Sequence, residues 1–514
     1  MLGKMLAFPI LGSALLWPLG AGSQLRFGPP VLLQSPAGAP LEVVAGRFLG
    51  DDHVYLAAAT GCPSEPLCPG AFRVPRKIVL WAFELAAPAA PPIVVRRAGW
   101  GVTPLVSLAA GDLDGNGADD LVMAEEGQVS VLLGAPGTPF PARVVMRRVH
   151  REWPLRDLAL ARLRPGNQLD LLALAENGKS IEVLSWSPFS QENPIPLPPD
   201  LRGLAVEALD ATGDGREDVA VLAARGGPAT SSSSAARAAV ALLRNRGDGQ
   251  FGDAGRPDLW QVATVQGWPV AFVKADFDRD GAEDLAVLSI PEMSSCLALL
   301  SIVPGTSTGL AHPHPPVELR CGAAEESPAV RWRARDLVVG DFDADGRTDL
   351  GVVFRSLDLR GDDPPRGTLS VYLGSGDGTF LLAGRTTLGQ GPRRAIAFQH
   401  TEPRARIAVA EPSENTVLVA GLELPGGKPP CAGDCNGDGT VTVDEIAAGV
   451  AVALGQMALV SCGAMDVNDD SRVTVDELVH ALSRALSSCP RANSEVRRGQ
   501  VPLLLEIREG DALT

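Results

Sequence analysis

The sequence predicts an all-β fold, a seven-bladed β-propeller, followed by a small α-helical EF-hand domain. Three observations support this fold class. A short acidic phrase recurs four times, which indicates a repeat architecture. Short apolar runs bounded by turn residues follow each copy without helical periodicity, a pattern typical of β-strands. Three further units keep the strands without the acidic residues, and seven units of about four strands suit a closed propeller.

Each acidic phrase places oxygen-bearing side chains at positions 1, 3, 5 and 9 and glycine at position 6. Such oxygens converge on one point when the loop wraps around a cation, and the glycine supplies the sharp turn. Hard oxygen ligands in this number favour Ca²⁺ over zinc or copper. The predicted ligands are Asp112, Asp114, Asn116 and Asp120; Asp210, Thr212, Asp214 and Asp218; Asp276, Asp278, Asp280 and Asp284; and Asp341, Asp343, Asp345 and Asp349.

The alternative for these loops is a set of solvated acidic turns that hold no ion. Carboxylates within ~4 Å of one another repel strongly unless a cation lies between them, and this repulsion favours the calcium interpretation. The second loop departs from the pattern at Thr212, so its occupancy stays open.

The spacing of the units predicts the order of the blades. The loops, acidic or degenerate, begin at residues 47, 112, 162, 210, 276, 341 and 398. The first, third and seventh units keep their strands but have lost the acidic ligands. A strand near residues 26–33 is expected to pair into the last blade and close the ring, which leaves few exposed sheet edges.

With these loops and strands, residues 40–424 resemble the FG-GAP/VCBS repeats of integrin α-subunit propellers and of many secreted bacterial proteins. Three loops match the family pattern at every ligand position. The resemblance implies a structural Ca²⁺ in a hairpin within each acidic blade. It also implies that a protein or glycan ligand binds on the propeller face away from those hairpins.

Two acidic loops of a longer type follow a linker at residues 425–430. Both fit the twelve-residue EF-hand pattern, although Ser471 replaces the turn glycine of the second loop at a cost of about 1 kcal/mol. Each loop is expected to run into a helix that opens with a capping box. The predicted ligands are Asp434, Asn436, Asp438, Thr440 and Glu445, and then Asp466, Asn468, Asp470, Arg472 and Glu477. The capping boxes are Thr442 with Glu445 and Thr474 with Glu477.

The two C-terminal helices are short, so their apolar stripes are expected to pack on each other. The predicted stripes are Ile446, Val450 and Leu454 on one helix, and Leu478, Leu482 and Leu486 on the other. Residues 431–489 resemble a dockerin-type EF-hand pair, which implies a cohesin-like partner. Glu at position 12 and four surrounding cysteines depart from that pattern. The alternative is a small end domain that Ca²⁺ and disulfides stabilise.

Charge and the N-terminal segment restrict the function and the compartment. The 514 residues carry a formal net charge of −16, which argues against nucleic acid because phosphate needs a basic surface. Residues 1–23 are interpreted as a secretory signal peptide, with a buried N-terminal strand as the alternative. No later stretch is long and apolar enough for a transmembrane helix. We therefore expect a secreted, extracellular or cell-surface protein.

Eight cysteines are expected to form disulfides in an exported protein, with a four-thiolate zinc site as the alternative for the last four. The predicted local pairs are Cys62 with Cys68 and Cys296 with Cys321. The remaining cysteines allow three connectivities and are Cys431, Cys435, Cys462 and Cys489.

An enzyme is not expected. Residues 305–309 have the spacing of a nucleophile elbow around Ser307, but prolines follow where that elbow needs a helix. The carboxylates suited to glycoside hydrolysis are already assigned to calcium. We expect a calcium-binding adhesion or scaffold module. The alternatives are a carbohydrate-active hydrolase or lyase with a site on the propeller axis, and a component that docks a cohesin.

These predictions divide the chain into five segments. They are a signal peptide (1–23), the propeller (24–424), a linker (425–430), the EF-hand pair (431–489) and a tail (490–514) in which residues 503–507 suit a strand.

Overall fold

The computed structural model describes most of the propeller and part of the C-terminal region. The described residues are 26–27, 30–51, 53–61, 77–82, 92–97, 105–125, 128–148, 155–166, 168–185, 190–191, 194–225, 237–247, 249, 251, 260–291, 297–321, 330–358, 366–399, 404–423, 433, 441–454, 465, 473, 475, 478, 481–482, 485 and 503–507. The predicted signal peptide, all EF-hand ligands except Glu445, and all cysteines except Cys321 lie outside these residues.

The chain starts with two short strands and then forms three blades. The first strands are β1 (Arg26–Phe27) and β2 (Val31–Gln34). Blade 1 contains β3 (Ala39–Gly46), β4 (Tyr55–Gly61), β5 (Lys77–Ala82) and β6 (Ile93–Arg97). Blade 2 contains β7 (Leu105–Gly111), β8 (Asp120–Glu125), β9 (Gln128–Leu133) and β10 (Arg143–Arg148). Blade 3 contains β11 (Leu155–Ala161), β12 (Asp170–Ala175), β13 (Ser180–Ser185), β14 (Ser190–Gln191) and β15 (Ile195–Pro196).

Four further blades follow in chain order. Blade 4 contains β16 (Leu201–Leu209), β17 (Asp218–Arg225), β18 (Arg237–Leu243) and β19 (Trp260–Val265). Blade 5 contains β20 (Trp268–Ala275), β21 (Asp284–Ile290), β22 (Leu297–Val303) and β23 (Val317–Arg320). Blade 6 contains β24 (Val330–Gly340), β25 (Asp349–Asp358), β26 (Gly367–Gly374) and β27 (Phe380–Leu388). Blade 7 contains β28 (Ala395–Gln399), β29 (Ala405–Glu411) and β30 (Thr416–Ala420), and β31 (Leu422–Glu423) pairs with β1.

The predicted N-terminal closure is confirmed. Strand β2 pairs antiparallel with β30 and so forms the outer strand of blade 7, with Leu33 opposite Val417. Leu33 is buried in the core that blade 7 shares with blade 1. Because the first and last parts of the chain share one sheet, the ring closes through strand pairing.

The hydrophobic core is divided among the junctions between neighbouring blades. Seven clusters of buried apolar side chains fill the seven junctions, including the one between blades 7 and 1. The innermost strands contact their neighbours in a closed order, from β3 through β7, β11, β16, β20, β24 and β28 back to β3. The all-β, seven-bladed propeller predicted from the sequence is therefore confirmed.

The tail contributes one strand. The predicted strand is present as β32 (Leu503–Ile507), which pairs in parallel with β6 at the outer edge of blade 1. It covers backbone N–H and C=O groups that an edge strand would otherwise leave unpaired.

One helix is described in full, and it begins as predicted. Helix α1 (Val443–Ala453) has Thr442 as its N-cap, and the capping box between Thr442 and Glu445 is formed. The complete pair of EF-hand helices is not established within the described residues. Likewise, no described helix has both the length and the apolar character required to cross a membrane.

The predicted packing stripes of the C-terminal helices are partly wrong. Three of their residues are exposed rather than buried: Val450 at 40%, Leu454 at 66% and Leu482 at 49%. The buried side of α1 instead centres on Gly449, against which the side chain of Met465 packs. A glycine leaves room for this close approach, so the contact face is rotated away from the largest apolar residues. Ile446 does pack on the core at Val441, and Leu486 lies outside the described residues.

Two glutamates, one at the end of β29 and one in the turn that follows, hold the chain that enters blade 7. Glu411, which is fully buried, accepts a hydrogen bond from the N–H of Gly389 at 2.6 Å, and Glu414 accepts one from Gln390 at 2.9 Å. Burial raises the pKa of Glu411 to about 7, and the carboxylate of Glu414 adds to this rise. Hydrogen bonds from Gly389 and Thr416 oppose it.

This shift predicts a pH-dependent stability that Glu411→Gln removes. Between the unfolded pKa of 4.5 and the folded pKa of about 7, the folded protein holds a proton that the unfolded chain has released. Raising the pH across this window therefore destabilises the wild type, by about 2–4 kcal/mol from this group. The measurement is the free energy of unfolding in urea from pH 5 to pH 8. Equal slopes for wild type and variant would contradict the assignment.

Candidate metal centres

Three of the four acidic loops bring their carboxylates together. In each loop, one oxygen from each of three aspartates lies within 4.8 Å of the other two. These groups are Asp112, Asp114 and Asp120 in blade 2; Asp276, Asp278 and Asp284 in blade 5; and Asp341, Asp343 and Asp349 in blade 6. Each group occupies the loop that connects the innermost strand of its blade to the second strand.

The loop backbone folds around the aspartate at position 1. In blade 6, Asp341 accepts hydrogen bonds from the N–H of Asp345 at 3.2 Å and of Gly346 at 2.8 Å. Gly346 has a φ of 75°, a conformation that glycine adopts without steric cost. At position 4, Ala344 and its counterpart Arg279 in blade 5 also have positive φ values, of 64° and 65°. Non-glycine residues adopt this region at a cost of about 1 kcal/mol or more, which the closed loop has to offset.

The aspartate at position 9 connects the loop to the rest of the blade. Asp349 accepts the N–H of Phe342 at 2.8 Å on one oxygen and the N–H of Gly374, at the end of the third strand, at 2.8 Å on the other. Asp120 and Asp284 accept the equivalent pairs of hydrogen bonds at 2.8–2.9 Å. All three aspartates are 0% exposed.

Burial makes these position-9 charges costly. It raises the pKa of Asp349 and Asp120 to about 7 and that of Asp284 to about 6. Backbone hydrogen bonds oppose the rise, and the other carboxylates of the same loop add to it. A bound cation reverses this balance, because an opposite charge stabilises the ionised form.

The donor set fits a hard divalent cation. Three convergent carboxylates offer oxygen ligands of the kind that Ca²⁺ takes. In blade 5, Oδ1 of Asp276 is buried and has no hydrogen-bond partner, so it is available as a ligand. A buried carboxylate oxygen without a partner is unfavourable unless an ion satisfies it.

The predicted ligands at position 5 also shape the turn of the described loops. The side chains of Asn116, Asp280 and Asp345 each accept the N–H of the residue two positions later at 2.8 Å. Asp345 also pairs with the guanidinium of Arg347. Asp280 and Asp345 are not members of the three-carboxylate groups. Coordination of Ca²⁺ by the position-5 side chains stays a prediction.

The loop that begins at Asp210 does not form such a group. Its described acidic residues Asp210, Asp214 and Asp218 are not among the convergent sets, because Thr212 stands where the other loops have a carboxylate. Two oxygens of this loop, Oγ1 of Thr212 and Oδ2 of Asp218, are nevertheless buried without a hydrogen-bond partner. Calcium in this loop stays a prediction.

In blade 3 an arginine takes the place of the cation. Arg164, at position 3, contacts the position-9 carboxylate of Asp170 and the hydroxyl of Ser185. The same hydroxyl donates to Asp170 at 2.8 Å. Asp170 is 2% exposed, and burial raises its pKa while Ser185 and Arg164 lower it. The sequence showed that this blade had lost its acidic ligands, but it did not reveal that Arg164 compensates the remaining one.

Neighbouring loops are joined by an acidic residue at position 8, which sequence reasoning missed. Asp119 of blade 2 accepts the N–H of Arg47 in blade 1 at 2.7 Å and donates its own N–H to the Arg47 carbonyl at 3.1 Å. Glu283 of blade 5 makes the same two contacts with Asp210 of blade 4, at 2.7 and 2.8 Å. Glu217 of blade 4 accepts an N–H from blade 3. In the sequence, each of these residues could have been recognised as an acidic residue one position before the last predicted ligand of its loop.

A second ring of contacts lies at the propeller axis. Glu42, Asp157 and Asp336 stand five residues before the loops of blades 1, 3 and 6, and each follows a β-bulge. Each carboxylate accepts a hydrogen bond from a backbone N–H in the innermost strand of the next blade. The distances are 2.8 Å from Leu108 to Glu42, 3.0 Å from Val206 to Asp157, and 2.9 Å from Ala395 to Asp336.

Arg394, the residue before β28 of blade 7, connects the carboxylates of the two neighbouring blades, 6 and 1. Its Nε lies 3.4 Å from Oε1 of Glu42, and its Nη1 lies 3.8 Å from Oδ1 of Asp336. The Arg394 side chain is 47% exposed. Burial raises the pKa of Glu42 and Asp336, and Arg394 opposes the rise in both. These acidic residues hold adjacent blades together.

Two other predicted features have a plain structural outcome. Ser307 lies in a turn between β22 and β23, with no helix in residues 308–320, so the segment lacks the helix that a nucleophile elbow requires.

Cys321 is fully buried in the core between blades 5 and 6. Its predicted partner Cys296 lies outside the described residues, so the disulfide stays a prediction.

No protein-family model matches the chain, and no curated protein matches it. Two solved propeller structures show the level of similarity. BBS1N in complex with ARL6DN, soaked with lead, has 10% identity and a TM-score of 0.46, over 78% of this chain and 98% of that chain. The Cps50 (Swd1) β-propeller domain of Myceliophteria thermophila has 13% identity and a TM-score of 0.44, over 77% and 99%. At these sequence identities and TM-scores, nothing about this chain is inferred from the two structures. The number of blades follows from the strand pairing.

The ion pair between Arg164 and Asp170 in blade 3 predicts that Arg164→Met destabilises the propeller by about 2–4 kcal/mol. The substitution leaves the buried carboxylate of Asp170 without the guanidinium that compensates its charge. The double variant Arg164→Met/Asp170→Asn removes that charge as well and should recover most of the loss. Urea denaturation gives both values. A double variant that loses as much as the sum of the two single variants would contradict the role of Arg164.

Proposed function

We propose that this chain is a calcium-stabilised β-propeller that acts as an extracellular binding scaffold. The observation that carries the proposal is the set of three convergent aspartate groups, each with a buried position-9 carboxylate. Positions 1, 3 and 9 of each loop would hold Ca²⁺. The predicted FG-GAP/VCBS membership and the predicted secretion agree with this role, since Ca²⁺ is abundant outside cells.

The proposed ion has a mechanical role. The position-9 aspartate links the loop to the third strand, and the position-8 residue links blade 2 to blade 1 and blade 5 to blade 4. An ion held in the loop therefore stabilises both its own blade and a blade junction. Binding energy adds to folding stability by about 2.7 kcal/mol per site when free Ca²⁺ is 100 times the dissociation constant.

The axis favours a scaffold over an enzyme. Glu42, Asp157 and Asp336 accept backbone hydrogen bonds, and Glu42 and Asp336 also pair with Arg394. Groups that are engaged in this way hold the ring closed and have little freedom to move protons for a substrate. The broad faces of the propeller remain as the surfaces for a protein or glycan ligand.

Calcium removal tests the proposal. Excess chelator should lower the melting temperature by roughly 5 °C or more, because the binding energy of several ions is lost and the loop carboxylates then repel. Asp343→Ala should reduce the number of bound Ca²⁺ by one, as counted by native mass spectrometry. Glu318→Ala, an exposed acidic residue on β23, is the matched control and should leave the number unchanged.

Two outcomes would contradict the calcium sites. One is a melting curve that excess chelator leaves unchanged. The other is an Asp343→Ala variant that binds as many ions as the wild type.

A further inference from the structure

Blade 6 places two arginines side by side at the end opposite its acidic loop. Arg333 of β24 and Arg355 of β25 are direct cross-strand partners. Their neighbours Trp332 and Phe354 point into the core shared with blade 5. Since side chains alternate along a strand, both arginines lie on the side that faces blade 7.

Gly391, in the chain that leads into blade 7, lies beside the guanidinium of Arg355. A Cβ placed on Gly391 would lie 3.6 Å from Nη2 of Arg355 and 3.0 Å from the hydroxyl oxygen of Ser413. Gly391 has a φ of 78°, so glycine is favoured here by conformation as well. The missing side chain leaves room for about one atom between the guanidinium and the hydroxyl.

Arg355 has charge and donors that the described residues leave uncompensated. It is half-buried, and its Nε is buried without a hydrogen-bond partner. Burial lowers the pKa of Arg355, and no carboxylate of the described residues acts against it. Two acidic residues stand in the adjacent turn, but Glu411 and Glu414 accept the N–H groups of Gly389 and Gln390 instead.

We propose that Arg355, with Arg333 and the hydroxyl of Ser413, forms an oxyanion site that binds a carboxylate group of an acidic ligand. The planar guanidinium of Arg355 offers paired N–H donors that match the two oxygens of a carboxylate. Arg333 lies directly across the strand pair from Arg355, and Ser413 supplies a hydroxyl donor. The site lies on the face away from the acidic loops, so an anionic ligand avoids their negative charge.

The inference names the ligand chemistry of the scaffold role proposed above, but its test does not depend on calcium. A carboxylate can come from an acidic sugar or from an acidic peptide side chain. The probes are therefore a galacturonate trimer and a glutamate tripeptide, each titrated calorimetrically into the full chain at physiological salt. The probe that binds identifies the source of the carboxylate.

Arg355→Met should weaken binding of that probe about tenfold or more, the loss expected for a charged hydrogen-bonded contact. Arg366→Met is the matched control, because Arg366 is an exposed arginine on the same blade and the change in net charge is identical. It should change the affinity less than about twofold. Ser413→Ala, at an exposed position, should weaken binding a few-fold, and it decides the test if Arg355→Met fails to fold.

The proposal is overturned if neither probe binds the wild type at millimolar concentration. It is also overturned if Arg355→Met and Arg366→Met weaken binding equally, since that result indicates general attraction to a basic surface. Counting bound Ca²⁺ in Arg355→Met separates the two proposals: the count should equal that of the wild type whether or not the probe binds.

Discussion

A buried aspartate that accepts N–H groups from two directions holds each acidic blade together. Asp120, Asp284 and Asp349 each link the start of their loop to the end of the third strand, and each is fully buried. A carboxylate in this position satisfies two backbone donors, but its negative charge is costly away from water. The rest of the loop supplies more negative charge, so a bound cation would stabilise the arrangement. In blade 3, the guanidinium of Arg164 supplies the positive charge beside the equivalent aspartate, Asp170.

Closure of the ring depends on polar contacts as well as on the apolar core. Apolar clusters fill every junction between neighbouring blades, but they do not fix how far one blade is displaced along the next. Two sets of directional hydrogen bonds do so. Asp119 and Glu283 act at the loop face, whereas Glu42, Asp157 and Asp336 act near the axis. Calcium in the loops would therefore stabilise a ring that is already aligned.

Local patterns in the sequence predicted the blades and the acidic groups, because both depend on residues close together in the chain. The glycine at position 6, the ninth-position aspartate and the apolar second strand are all visible within about fifteen residues. Contacts between distant residues were not predictable. Arg394 and Glu42 are 352 residues apart, and Arg333 meets Arg355 through strand register. The C-terminal helix shows another limit: Gly449 sets its contact face, and a pattern of large apolar residues cannot reveal that.

The most direct test is an anomalous difference map from crystals grown with Ca²⁺. The account predicts one peak within coordination distance of the grouped oxygens in each of the loops that begin at Asp112, Asp276 and Asp341. Loops that keep this wrapped shape without any peak would show that hydrogen bonds alone hold them, and the central claim would be wrong.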